Sequence, residues 1–248
     1  MSDAPFLAVE QIDDHIVTVG FDNPDRRNAI DEATTTEIGA VLTRFAAEPT
    51  ILIFHSTTPG MFVSGADISE LRNRTSDDAF RSINAGLFER LESHRWPTIA
   101  AIDGYALGGG CELAMACDLR IATEGSSFGQ PELGLGILAG AGANWRLRQL
   151  VGLGLARRML YTGLRIDGAE ALAAGLIDQL GEPGSLLDDA VELAHRIARN
   201  SWRALELTKL SLGQDRPATT GFDIAAQALL FDSDDKRRRM DAFLDKRG

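Results

Sequence analysis

"GYALGGGCELAMACD", residues 104–118, puts a carboxylate, Glu112, into a run of glycines and small apolar residues that contains no basic residue. A buried carboxylate is costly unless it is protonated, hydrogen-bonded or used. Two readings follow. Glu112 is a helix-start carboxylate capping its own turn, or it is a functional group held in an apolar pocket. The stretch directly follows "PTIAAIDG" (97–104), which reads as a buried strand ending at Gly104. Ligands of mainly parallel sheets gather at the carboxyl ends of such strands.

Upstream, "FLAVEQIDDHIVTVGFD" (6–22) reads as two short strands joined by a polar turn at Asp13–Asp14. "DEATTTEIGAVLTRFAAEP" (31–49) has helical spacing, with Asp31 as the cap and Pro49 past the end. "TILIFHST" (50–57) is an apolar strand, and "TPGMFVSGAD" (58–67) a glycine-containing loop after it. "DDAFRSINAGLFERLESHR" (77–95) is a second amphipathic helix. This β-α-β-α-β alternation predicts an α/β fold with a mainly parallel sheet flanked by helices.

Downstream of Gly140 the pattern is helical. The pieces are "AGANWRLRQLVG" (141–152), "GLARRMLYTG" (154–163), "DGAEALAAG" (167–175), "LLDDAVELAHRIARN" (186–200) and "WRALELTKLSLG" (202–213). Residues 219–248 read as two more helices. We divide the chain into a core carrying the site, residues 1–190, and a helical C-terminal region, residues 191–248.

Composition narrows the function. A chain of 248 residues with 44% hydrophobic content buries a sizeable core. A net charge of -11 repels polyanions at long range, so no nucleic-acid partner is expected. No apolar run reaches membrane-spanning length and the acidic N-terminus lacks a signal pattern, which predicts a cytoplasmic protein without a membrane partner. Cys111 and Cys117 suit neither a zinc knuckle nor a redox pair, and the four histidines are scattered, so no metal site is expected. Two basic clusters, 25–28 and 236–240, are either solvated faces or contacts for a small anionic ligand.

No phosphate-binding P-loop, dinucleotide-binding glycine motif or nucleophile elbow is present. What remains is two glycine-containing loops after strands and two carboxylates, Glu112 and Glu132, 20 residues apart. Small-residue loops can aim successive backbone N–H groups at an oxyanion. Paired carboxylates can divide acid and base roles. Taken alone, Glu132 beside Pro131 is equally a helix-start residue.

"FVSGADISEL" (62–71), "AAIDGYALGGGCELAMACDLRIA" (100–122), "FGQPELGLG" (128–136) and "AGLID" (174–178) together resemble an enoyl-CoA hydratase of the crotonase superfamily. The resemblance runs in order from Phe6 to Arg247. It implies a spiral of β-β-α units with a helical C-terminal region that makes trimers, often paired into hexamers. It implies hydration of a 2-enoyl-CoA to a 3-hydroxyacyl-CoA, with Glu112 and Glu132 catalytic and the backbone N–H groups of Ala66 and Gly109 forming the oxyanion hole. Substrate contacts fall on Arg26, Arg27, Ala29, Ser64, Gly65, Ala66, Asp67, Ile68, Gly109 and Gly140, with Phe243 and Lys246 reaching a neighbour's site. No metal or redox cofactor is implied, coenzyme A being part of the acyl-CoA substrate. Retention of both glutamates favours a hydratase over a Δ3-Δ2 enoyl-CoA isomerase, another acyl-CoA lyase, or a non-catalytic acyl-CoA-binding or RNA-binding relative. The chain departs from the family at Asp25, where Lys or Arg is usual, and at Ala139, where Pro is usual. It departs again at Asn144 and Trp145, and at the basic run before Met240. Trp145 either reshapes the acyl pocket or packs into the core, the second being preferred.

Overall fold

The computed structural model describes residues 6–73, 78 and 81–213. The chain falls into two compact units divided between His195 and Arg196. The first carries the strands β1 (Leu7–Gln11), β2 (Ile16–Phe21), β3 (Ile51–Ser56), β4 (Thr98–Ile102), β5 (Tyr105–Leu107), β6 (Leu119–Thr123), β7 (Ser127–Gly129), β8 (Arg165–Asp167) and β9 (Gln179–Gly181). Its helices are α1 (Glu32–Arg44), α2 (Ile68–Asn73), α3 (Ile83–Glu92), α4 (Gly109–Ala116), α5 (Ala143–Thr162), α6 (Gly168–Ala174) and most of α7 (Leu186–Ala198). In the second unit, the described residues hold the end of α7 and α8 (Trp202–Leu212).

Continuous apolar runs make the central strands. Every residue of β2 and β4 is buried, as are Ile51 to Phe54 of β3, the pattern of strands covered on both faces. They lie in a sheet ordered β1-β2-β3-β4-β6-β9, in which the β1–β2 hairpin is antiparallel and every other pairing is parallel. A smaller sheet runs β5-β7-β8. The chain order repeats as β1-β2-α1, β4-β5-α4 and β6-β7-α5. In the last two repeats the first strand joins the large sheet and the second the small one, the β-β-α spiral that the resemblance implies.

Local chemistry sets the helix starts. Asp31 caps α1 by accepting from the Thr34 amide at 2.8 Å, as its position in the sequence suggests. Asp167 and Glu170 form a reciprocal capping box at the start of α6. The two helices expected over 141–152 and 154–163 form one element, α5, bent at Gly152, whose φ of 74° breaks the helical path. The second amphipathic helix is described from Ile83, after Ser82 at φ 51°.

Helix α4 runs through the interior, and all eight of its residues are buried. Its sequence, "GGCELAMA", permits this because small side chains let backbones approach. A Cβ on Gly110 would collide with the carbonyl oxygen of Val63. Gly110→Ala should therefore lower the urea unfolding midpoint by an amount equivalent to about 1–3 kcal/mol. Gly86→Ala, inside α3 where a Cβ meets nothing within 4 Å, should instead hold stability or raise it by about 0.5–1 kcal/mol.

Candidate active site

The loop after β3 is woven into its surroundings by main-chain hydrogen bonds. Val63 N donates to Tyr105 O at 3.0 Å and Leu107 N to Val63 O at 3.3 Å. On the other flank Ile30 N donates to Gly65 O at 2.8 Å and Asp67 N to Ile30 O at 3.1 Å. Residues 63–67 thus lie between segment 27–30 and β5. The approach is close: a Cβ on Gly65 would stand 2.9 Å from Leu107 O, and one on Gly109 would stand 3.3 Å from Ala66 N. The amides of Ala66 and Gly109 therefore lie beside each other. Among the described residues, neither donates to a protein acceptor. Gly109 opens α4, where unpaired amides and the positive end of the helix dipole favour an anion.

One turn into the same helix, Glu112 is 3% exposed. Its carboxylate does not cap its own turn, so that reading is corrected. Oε1 accepts from Ala141 N at 2.8 Å and Ala143 N at 3.0 Å, both on the loop leading into α5. Oε2 accepts no hydrogen bond from any described residue. Burial pushes the carboxyl above its ordinary pKa, opposed by those two amides and by Arg146. The opening charge is thus compensated, and one of its oxygens is left for chemistry.

Glu132 opens a single 3-10 turn, Glu132–Leu135, with Pro131 as its cap. The helix-start reading holds for its backbone but does not describe its side chain. That carboxylate lies against the chain at Gly108, where a Cβ would come within 2.6 Å of Oε1. The Gln130 amide, oriented to suit its neighbours, donates to both Glu132 oxygens at 3.1 Å. Burial, with the Glu112 charge adding to it, raises the Glu132 carboxyl to about 7. Cys111 feels both carboxylates, and burial first, then Glu112 and Glu132, push its thiol up to about 12. It is an inert, buried thiol.

The remaining expected contacts split into two groups. Arg26, Arg27, Ala29, Ser64, Gly65, Asp67 and Ile68 are brought together by the hydrogen bonds around Ala66, including Ser64 N to Arg27 O at 3.2 Å. Arg26 shares its guanidinium between Asp31 at 3.4 Å and Asp67 at 3.5 Å, while Arg27 is exposed. Asp67 caps α2, accepting from the Ser69 hydroxyl and from the Ser69 and Glu70 amides. Its carboxyl is lowered first by the Ser69 hydroxyl. Gly140 sits instead on the loop that supplies the Ala141 amide. Phe243, Lys246 and the basic run at 236–240 lie outside the described residues.

Sequence reading does not reach the groups that hold this loop. Asn144 Nδ2 donates to Ala139 O at 2.8 Å, and Arg146 donates to Ala141 O at 2.9 Å. One faint signal is the arginine itself, placed in an otherwise core-facing position of α5. Core packing of Trp145 is also corrected: it is 38% exposed and its ring lies 4.2 Å from the Arg146 guanidinium carbon. With Ala85, Glu89, Leu138 and Gly140 it lines a pocket of about 130 Å³. Among the described residues no cluster of metal-binding side chains occurs, and no helix is long and apolar enough to cross a membrane.

The raised Glu132 carboxyl has a thermodynamic consequence. Between its ordinary pKa of 4.5 and about 7, the folded protein holds a proton that the unfolded chain has released. Its contribution to stability is therefore present below that window and is lost as pH rises through it. Glu132→Gln should melt at a higher temperature than the parent at about pH 8, with the gap closing as pH falls to about 4.5.

Residues 11–248 match the family model described as enoyl-CoA hydratase/isomerase. The chain is 37% identical over 240 residues to the short-chain-enoyl-CoA hydratase of Clostridium acetobutylicum, covering 94% of this chain and 92% of that one. It is 36% identical to the crotonyl-CoA hydratase of Syntrophomonas wolfei, covering 95% of this chain and 94% of the other. The enoyl-CoA hydratase structure from Bacillus anthracis superposes with a TM-score of 0.92 at 31% identity, covering 97% of this chain and 96% of that one. The chain belongs to the enoyl-CoA hydratase/isomerase family and has the crotonase fold.

Proposed function

We propose that this protein is an enoyl-CoA hydratase, adding water across the C2–C3 double bond of a 2-trans-enoyl-CoA to give a 3-hydroxyacyl-CoA. The observation that carries the reading is the pairing of two acceptor-free amides, Ala66 and Gly109, with two electrostatically coupled carboxylates. The thioester oxygen sits against the two amides. Ionised Glu112 takes a proton from water as the water oxygen bonds to C3. The π electrons move toward C1, and the thioester oxygen becomes an enolate oxygen. Protonated Glu132 then delivers its proton to C2, and the proton on Glu112 passes to Glu132 before the next turnover. The atoms of one water are added and nothing is oxidised.

The assignment of roles follows from the environments. Burial raises the Glu112 carboxyl, but two amides and a nearby guanidinium oppose it and favour its ionised form. Glu132 has burial and the Glu112 charge favouring its protonated form. Each amide placed on developing oxyanion charge is worth about 3–4 kcal/mol of barrier. On this reading Arg27, exposed and nearer than the acid-paired Arg26 to being a free cation, meets coenzyme A phosphate. The enzyme works in the cytoplasm on acyl-CoA breakdown, as a homotrimer or a dimer of trimers. Exposed Leu133, Leu135, Ile137 and Leu138 are apolar surface consistent with assembly or with an acyl chain.

Purified protein mixed with crotonyl-CoA should lose the conjugated thioester absorbance. Conversion of a 3-enoyl-CoA to its conjugated isomer with no hydration of any chain length would contradict the reading and favour an isomerase. Glu112→Gln and Glu132→Gln should each lower kcat by about 10²–10⁴-fold with KM little changed. A parent-like kcat in either would remove that residue from its role. In the parent, kcat/KM should fall as pH rises through about 7 and Glu132 gives up its proton. The acid limb should lie above 4.5, since Glu112 must be ionised and its carboxyl is raised.

A further inference from the structure

Arg146 is a fully charged side chain taken almost wholly from water, at 3% exposure. A buried guanidinium is retained at a cost, and its contacts say what it does. One nitrogen, Nη2, reaches Glu92 at the end of α3, at 2.8 Å. The other, Nη1, donates to Ala141 O at 2.9 Å. Ala141 is the residue whose own amide grips Glu112 Oε1 at 2.8 Å. A side chain at Gly142 would collide with that same Nη1, so the loop and the guanidinium are fitted to each other. Nε has no acceptor among the described residues, so the arginine is not placed there to satisfy its own donors.

We infer that Arg146 is a positioning residue for Glu112, its guanidinium clamping Ala141 by the carbonyl while standing as a partly neutralised positive charge behind the carboxylate. The arrangement is a chain of contacts: Glu92 to Arg146, Arg146 to Ala141, Ala141 to Glu112. Its two effects favour the same state. The clamp keeps the Ala141 and Ala143 amides aimed at Oε1, and the charge favours the ionised carboxylate. Glu92 opposes the second effect by offsetting part of the arginine's charge, so it sets how strongly Arg146 acts.

The charged and titratable groups around Glu112 are limited. On α4 itself stands Cys111, whose thiol stays protonated. From the 3-10 turn comes Glu132, which raises the cost of ionising Glu112 when it is itself ionised. From α5 comes Arg146. On α3, Glu92 pairs with Arg146 and Glu89 lines the pocket beside it, while Arg90 is turned away to Gly39 O and Thr43. On β5, Tyr105 is exposed. From β6, the buried Arg120 donates to the carbonyls of Ala114 and Cys117 at the far end of α4, so the cation acting on Glu112 is Arg146.

The kinetic meaning of this device rests on Glu112 being the base that activates water, but its existence does not. The test is an infrared titration in which the Glu112 carboxyl band is assigned by its loss in Glu112→Gln. In Arg146→Met the midpoint should rise by about one pH unit, a tenfold loss of ionised carboxylate at a given pH. In Glu92→Gln, which keeps an acceptor for the guanidinium but removes its counter-charge, the midpoint should fall. Arg146→Lys should lie between the parent and Arg146→Met. A merely structural arginine would move Arg146→Met and Glu92→Gln in the same direction, through loosened amides, and that result overturns the inference. If Arg146→Met does not fold, Glu92→Gln decides alone: its carboxylate is 43% exposed and its replacement is mild, and an unchanged or raised midpoint overturns the inference. The acid limb of kcat/KM should follow the spectroscopic midpoint. Midpoints that move as stated with a limb that stays fixed would uphold Arg146 as the positioner and remove Glu112 as the base.

Discussion

The site depends on one steric constraint, the contact of two backbones with nothing between them. Segment 63–66 lies directly on 106–110, and Gly65, Gly109 and Gly110 each stand where a Cβ would press on the other strand's main chain. Because the backbones touch, the Ala66 and Gly109 amides come side by side without a side chain separating them. Because α4 starts at that contact, its unpaired N-terminal amides and its dipole face the same place. One turn later the same helix carries Glu112 inward. A single close approach thus fixes both the paired amides and the position of the first carboxylate.

The second constraint is electrostatic. A helix made of glycine and small apolar residues has no polar group of its own to offer Glu112, so help comes from elsewhere in the chain. The Ala139–Ala143 loop supplies two amides, and it is tied down in turn by Asn144 and Arg146. Glu132 receives less: Gln130 donates to it, but burial dominates and the carboxyl titrates near neutrality. Two acids of one kind thus keep unequal company, donors opposing burial more fully at Glu112 than at Glu132, and the proposed division into base and acid rests on that difference.

Much of this was legible in the residues. The buried strands around 16–21, 51–56 and 98–102 announce themselves as apolar runs, and Asp31 sits where a cap belongs. The glycine-rich stretch and its lone carboxylate mark the site. The small strands β5, β7, β8 and β9 do not, because three residues carry no period to read. The spiral came through the family resemblance, since β-β-α order alone does not say which strand joins which sheet. Trp145 misleads for an ordinary reason: its size suggests the core, whereas it lies part-exposed over the buried Arg146 guanidinium. Arg146 leaves only a faint signal because its partners, Glu92 and the Ala141 carbonyl, come from 54 and 5 residues away in sequence and meet only in the fold.

The most direct measurement is the carbonyl stretch of an unreactive saturated thioester, butyryl-CoA labelled with carbon-13 at C1, bound to the protein. With the Ala66 and Gly109 amides both donating to its oxygen, the band should shift to clearly lower frequency than in free butyryl-CoA, as donation weakens the C=O bond. Bound ligand with an unshifted carbonyl band would mean that the two amides do not meet the thioester oxygen, and the central claim would be wrong.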